Sequence, residues 1–184
     1  RDRLRSRGLG DVYKRQDYGG WWFCCFPYVF VQENDVLPFF IHCDDVEYGL
    51  RCGKKPIIIE GVQVWHETYD KRMTPLMQYY DTRNPLFVNQ LYGFLPEPLQ
   101  LLRQWKDKMT AFHVKGDWLS EYYVILAMND FLKGMGWLKR IDAGKYHKKL
   151  QKAKSCKVKN AICWRLVEHR AKKKFMVHKN NCSG

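Results

Sequence analysis

Apolar residues are arranged in two different ways along the chain, and the change from one to the other divides it. In the first part they come in short blocks. Trp21 to Val31, following Gly19-Gly20, is apolar nearly throughout, the pattern of a strand buried on both faces. Pro38 to Ile41 predicts a second short strand, and Ile57-Ile58-Ile59 with Val62 and Val64 a third, ending at Trp65-His66. Between these two, Asp44 and Glu47 stand three apart, Val46 and Leu50 supply an apolar side, and a glycine follows at position 53. A capping pair, an apolar side and a glycine stop predict a short helix.

From Thr74 onward the spacing is helical. Thr74-Pro75 offers a hydroxyl cap followed by proline at the first helical position, and Leu76, Tyr79, Tyr80 and Arg83 continue a helix that is expected to kink or end at Pro85. Leu99, Leu102, Trp105, Met109 and Phe112 recur at three and four. Asp117 can cap a further helix reaching Leu132, apolar on most faces and so expected to be central. Tyr146 to Lys159 is a basic stretch, and Ala161 to Val177 is amphipathic and basic. No internal repeat or low-complexity tract interrupts the chain. The pattern alone therefore predicts a small α/β piece over 17–73 feeding a helical region over 74–184.

Composition excludes two classes. With 46% hydrophobic and 15% aromatic residues in 184, the chain has enough apolar surface to fold, unlike a disordered polymer. No apolar run reaches the roughly 18 residues needed to cross a bilayer, and the longest, Trp21 to Val31, contains Pro27. The seven cysteines include no C-x-x-C pair, which suits reduced, mostly buried thiols of a cytosolic protein better than a disulfide framework or a zinc site.

The net charge of +13 is unevenly placed. Residues 1–16 carry six basic and two acidic groups, residues 17–100 six and eleven, and residues 101–184 twenty and six. The first sixteen residues have neither helical nor strand periodicity, no initiator Met and no apolar core of a signal peptide. Asp11 to Gln16 back-translates to a string like the transposon end used in sequencing libraries. Residues 1–16 are accordingly read as a non-native, disordered leader and left out of the fold. The basic last part permits two partners, an anionic membrane surface or a nucleic acid, and has as its ordinary reading a solvated helical surface.

The residues suited to chemistry lie in the first part. A carboxylate after a strand and at a helix start is held rigidly at the end of a sheet, where open α/β folds bind ligands. Asp44 and Asp45 are adjacent there, and two neighbouring carboxylates favour one as a base near neutral pH. His66, at the end of the next predicted strand, offers an imidazole nitrogen to a divalent metal. Trp21 and Trp22 offer flat platforms for sugar rings. Singly, each has an ordinary structural reading: a helix cap, a buried histidine, two core tryptophans.

Their order is more specific. Tyr18-Gly-Gly-Trp-Trp22, Leu37-Pro-Phe-Phe-Ile-His-Cys-Asp-Asp-Val-Glu-Tyr-Gly-Leu-Arg51, Val64-Trp-His66 and Tyr79-Tyr-Asp-Thr-Arg-Asn84 together resemble the family 2 glycosyltransferases, in their galactofuranosyltransferase-like branch. The resemblance covers residues 17–95. It implies the later part of a GT-A (Rossmann-like) α/β catalytic domain over 17–95, followed by a mainly α-helical basic region over 96–184. It implies Asp45 as the base that deprotonates the acceptor hydroxyl, Asp44 as an acceptor-holding neighbour, and Tyr18, Trp21 and Trp22 as the acceptor-side wall. His66 is implied as a ligand of Mg2+ or Mn2+, shared with a D-x-D motif. No Asp-x-Asp occurs between Asp17 and His66, so the nucleotide-binding half is expected to lie upstream of this sequence and the fragment alone to be inactive.

The expected function is inverting, metal-dependent transfer of a sugar, galactofuranose by the resemblance, from a UDP-sugar to a cell-surface glycan or lipid-linked acceptor. The expected place is cytoplasmic, peripheral at the inner face of the cell membrane, held there by the basic C-terminal region. The alternative is a basic helical module that binds nucleic acid or a partner without catalysis. It lacks a zinc-finger, RRM or KH signature and leaves the DDVEYGLR and VWH elements unexplained, so no nucleic acid is expected.

Overall fold

The computed structural model describes residues 17–57, 59, 61, 62, 64, 65 and 73–181, with side chains to residue 175. Among these residues there are helices and loops but no strand. The helices are α1 (Tyr28–Glu33), α2 (Asp44–Cys52), α3 (Met77–Leu91), α4 (Pro98–Val114), α5 (Trp118–Leu132), α6 (Met135–Arg140), α7 (Ala143–Leu150) and α8 (Lys157–Asn181). This overturns the α/β, GT-A-like expectation for the first part. The chain divides into two compact units, Arg1–Leu37 with Cys43–Lys71, and Pro38–His42 with Arg72–Gly184.

In the first unit, the apolar run from Trp21 forms no strand. Phe26 and Phe30, four apart, turn their rings onto Tyr48 of α2, each at 4.9 Å between centroids. Trp22, Phe23, Tyr28 and Val29 stay exposed. Of the third predicted strand, the described residues Ile57, Ile59, Val62 and Val64 are in no strand and are exposed, while Ile58 lies outside the described residues. The helix predicted from Asp44 is present, ending at Gly53, whose φ of 64° suits glycine and whose N–H donates to the Leu50 carbonyl at 3.1 Å. Asp44 is not its cap: Cys43 occupies that position, and both aspartates lie in the first turn. The thiols differ from expectation too, since none of the described cysteines is buried, and Cys24, Cys25 and Cys156 are exposed.

The second unit is a helical bundle around α5. Asp117 caps this helix, accepting from the Ser120 N–H at 3.0 Å, and α3, α4 and α8 all pack against it. The expected central helix is therefore found. One part of the core gathers Tyr79, Tyr80, Tyr123, Ala127 and Leu150. Elsewhere Phe87 and Trp105 meet Phe131 edge-on, at 5.2 and 6.1 Å. On α4 the buried residues are Leu101, Trp105 and Met109, whereas Leu99 is exposed. Asn160 on α8 donates to Glu121 at 2.7 Å and to the Trp118 carbonyl at 2.8 Å. Helix α3 starts two residues past Pro75, after turns closed on the Thr74, Pro75 and Leu76 carbonyls, and it runs through Pro85 to Leu91. Pro85 does not end it, because the residues around it (Arg83, Asn84, Leu86, Phe87 and Val88) are all buried and hold the flanking turns.

The short strand expected over Pro38–Ile41 is replaced by a clamped loop. Phe40 and His42 have φ values of 72° and 64°, in a region that non-glycine residues rarely adopt and that no strand contains. Side chains from α3 hold the loop in that form, as described below.

Candidate functional site

Helix α2 organises the first unit. Acidic residues in its first turn and Arg51 in its last complement the helix dipole. Glu47, only 2% exposed, receives Arg51 in a two-point pair at 2.9 and 3.1 Å. The same guanidinium donates to the Asp35 carbonyl at 2.8 Å, and the Tyr48 hydroxyl donates to the Asn34 carbonyl at 2.9 Å. Tyr48 is the hub of an aromatic cluster in which Trp21 stands edge-on at 5.4 Å.

This arrangement brings the Tyr18–Trp22 element against the first turns of α2. Gly49 faces Tyr18 so closely that a Cβ on it would lie 2.6 Å from the tyrosine Cβ. One turn earlier on the same face, Oδ2 of Asp45 lies 3.9 Å from where a Cβ on Gly20 would be. The glycine pair thus passes within ordinary contact distance of the carboxylate. Oδ1 of Asp45 accepts from the Val46 N–H at 2.8 Å, which fixes the carboxylate's orientation. Beside this contact lies an apolar cavity of about 600 Å³, lined by Tyr18, Cys24, Phe26, Gly49 and Cys52 among others. Partial desolvation pushes the exposed Cys24 thiol above its ordinary value, with Cys25, Cys52 and Asp45 adding to the effect.

Of the residues named from sequence, Tyr18, Trp21 and Asp45 are gathered around one helix, and Tyr18 lines the cavity. Trp21 is half-buried on Tyr48, and Trp22 is 70% exposed. Asp44 stands beside Asp45 in the first turn. His66 lies outside the described residues. Among the described residues no three His, Cys, Asp or Glu side chains are grouped to hold a metal ion.

Sequence reasoning noted Arg83 and Asn84 but gave them no role. In the second unit, both are almost fully buried. Arg83 donates to the Phe39 carbonyl at 2.8 Å, and Asn84 to those of Ile41 and His42 at 2.6 and 2.8 Å. Arg83 also donates to Asn84 Oδ1 at 2.8 Å and to the Tyr79 hydroxyl at 3.1 Å. Tyr79 passes the chain of hydrogen bonds to Asp130 at 2.7 Å, where Lys133 ends it at 2.6 Å. Burial pushes the Tyr79 phenol far above its ordinary value and that of Tyr80 up to about 12, so both remain donors. His42 pairs with Asp81 in the same unit. The signal for this clamp was an Arg-Asn pair placed one helical turn after two adjacent tyrosines. Its purpose is visible only once the carbonyls of 39–42 are placed. Those residues run directly into Cys43 and the α2 carboxylates.

Comparison with known proteins points to one kind of chemistry. The chain is similar to galactofuranosyltransferase GlfT2 of Mycolicibacterium smegmatis, 34% identical over 128 residues, which are 64% of this chain and 19% of that protein. It is similar also to galactofuranosyltransferase GlfT2 of Mycobacterium tuberculosis, 33% identical over 130 residues, 64% of this chain and 20% of the relative. The chain thus spans about a fifth of the length of the curated relatives it matches. No family profile and no solved structure matches it. The likeness supports a glycosyltransferase relationship.

Proposed function

We propose that the first unit is the acceptor-activating part of an inverting glycosyltransferase. It moves a sugar, galactofuranose by analogy with the similar proteins, from a UDP-sugar to a hydroxyl of a glycan or lipid-linked acceptor. The observation that carries this reading is Asp45 held at the first turn of α2, against the Gly20 backbone and one helical turn from the Tyr18–Gly49 contact.

In this reading Oδ2 of Asp45 takes the proton of the acceptor hydroxyl as its oxygen bonds to the anomeric carbon. The bond from that carbon to the diphosphate breaks, and UDP leaves with the electron pair. Asp44 accepts from a second acceptor hydroxyl. Tyr18 and Trp21 form the supported side of the acceptor wall, and exposed Trp22 gives a face on which a sugar ring can stack. A divalent Mg2+ or Mn2+ would neutralise the leaving diphosphate, with His66 as its ligand in this chain.

Acceptor titration followed by tryptophan fluorescence tests the wall. A galactofuranosyl oligosaccharide should quench emission saturably, and Trp22→Ala should weaken binding by roughly tenfold, the loss of about 1.4 kcal/mol of contact. Binding unchanged in Trp22→Ala and in Tyr18→Ala would remove the acceptor from this surface.

A further inference from the structure

Helix α8 is apolar on two sides. Its inner side is settled by Asn160, Val167 and Ala171, which are 1%, 3% and 0% exposed. Asn160 is locked onto α5, and near the other end Lys174 donates to the Leu132 carbonyl at 2.8 Å, so the rotation of the helix about its axis is fixed. The opposite side carries Val158, Ile162 and Leu166, one turn apart along the helix and 69%, 56% and 57% exposed. Arg165, His169 and Lys173 share that side and are exposed. The described part of α8 holds one acid, Glu168, and it is paired with Lys172 at 2.8 Å.

We propose that this outer face of α8 docks the protein on a bilayer containing anionic lipid. Three aliphatic side chains in line can enter the acyl boundary, while the cations beside them sit at the level of the phosphates. Charge complementarity selects an anionic surface. The aliphatic row selects lipid over nucleic acid, since a phosphate backbone offers nothing to Val, Ile and Leu, and no exposed aromatic lies on this face for a base to stack on. The proposal does not rest on the role given to Asp45, and none of these residues belongs to the acceptor wall.

The test is co-sedimentation of the whole chain with extruded vesicles of phosphatidylcholine, with and without phosphatidylglycerol. Binding should require phosphatidylglycerol and weaken as salt rises. Ile162→Ser with Leu166→Ser should lower the partition coefficient at least about tenfold, and Arg165→Glu with Lys173→Glu should do likewise. All four positions are exposed, so circular dichroism and the thermal transition should not change; a pair that does change them is replaced by Val158→Ser with Ile162→Ser. Four results would overturn the proposal: no vesicle binding, binding indifferent to phosphatidylglycerol, stripe variants that bind as wild type, or tighter binding to an oligonucleotide at the same salt. A dimer that the stripe variants abolish, in a protein that ignores vesicles, would assign the face to a second copy instead.

Discussion

Gly49 and Tyr18 are in contact so close that a single added methyl would place two carbons 2.6 Å apart. The contact ties the Tyr18–Trp22 element to the helix that carries Asp45, and so joins two motifs that are 23 residues apart from the end of one to the second aspartate of the other.

Gly49→Ala should therefore separate them. Tyr18 presents backbone as well as side-chain carbon to the intruding methyl, so relief requires a shift of the segment. The expected cost is about 1–3 kcal/mol of stability, read from urea unfolding. Acceptor affinity should fall with it, while the helical content of the second unit stays unchanged. A variant as stable as the parent would mean that the segment and α2 are not held together.

The clamp gives a second prediction. Asn84→Ala leaves the Ile41 and His42 carbonyls without their donor in a half-buried loop, at about 1–3 kcal/mol for each unsatisfied group. Asn84→Asp should be worse than alanine, because it sets a carboxylate against carbonyl oxygens. Equal stability of the two variants would show that shape, and not the amide's hydrogen bonds, fills that site.

A pH effect follows from His147. Its ring stacks on Phe40 at 4.3 Å, its Nδ1 meets the Tyr80 hydroxyl at 2.8 Å, and burial lowers its pKa. Below the unfolded value of about 6.5 the unfolded chain takes up the proton before the folded one does. The native state thus loses stability as pH falls through that range, and has its full contribution above it. His147→Phe keeps the stack and removes the titration. The difference in unfolding free energy between parent and variant should be constant above neutrality and turn against the parent below it; a difference flat from pH 5 to pH 8 would contradict the account.

Where the sequence was informative, the deciding interactions are local. Helix α2 could be placed because Asp44, Leu50 and the glycine at 53 are within one element, and α5 because Asp117 caps it three residues away. The predicted strands failed for a non-local reason. For the second of them, the carbonyls of Phe39, Ile41 and His42, which a strand would pair with a neighbour, are taken by Arg83 and Asn84 from more than forty positions away. The apolar run from Trp21 was read as two buried faces, but Phe26 and Phe30 are the part that packs, and they do so on Tyr48. Pro85 was expected to kink or end its helix; it does not end it, since burial on both sides of it outweighs one lost bond. The candidate site could be named from sequence only as a set of residue types, and the proximity of Tyr18 and Gly20 to α2 required the fold.

The central claim is that Asp45 removes the acceptor proton. The most direct measurement is steady-state transfer from a UDP-sugar by a protein carrying this chain together with a nucleotide-sugar-binding region, comparing the parent with Asp45→Asn and Asp44→Asn. Asparagine keeps the size and the acceptor oxygen toward the Val46 N–H but cannot take a proton. Asp45→Asn should lower kcat by about 10²–10⁴ with UDP binding intact, and Asp44→Asn should show mainly as a raised acceptor KM. Near-normal kcat in Asp45→Asn would contradict the account and leave both carboxylates as first-turn residues that serve the helix alone.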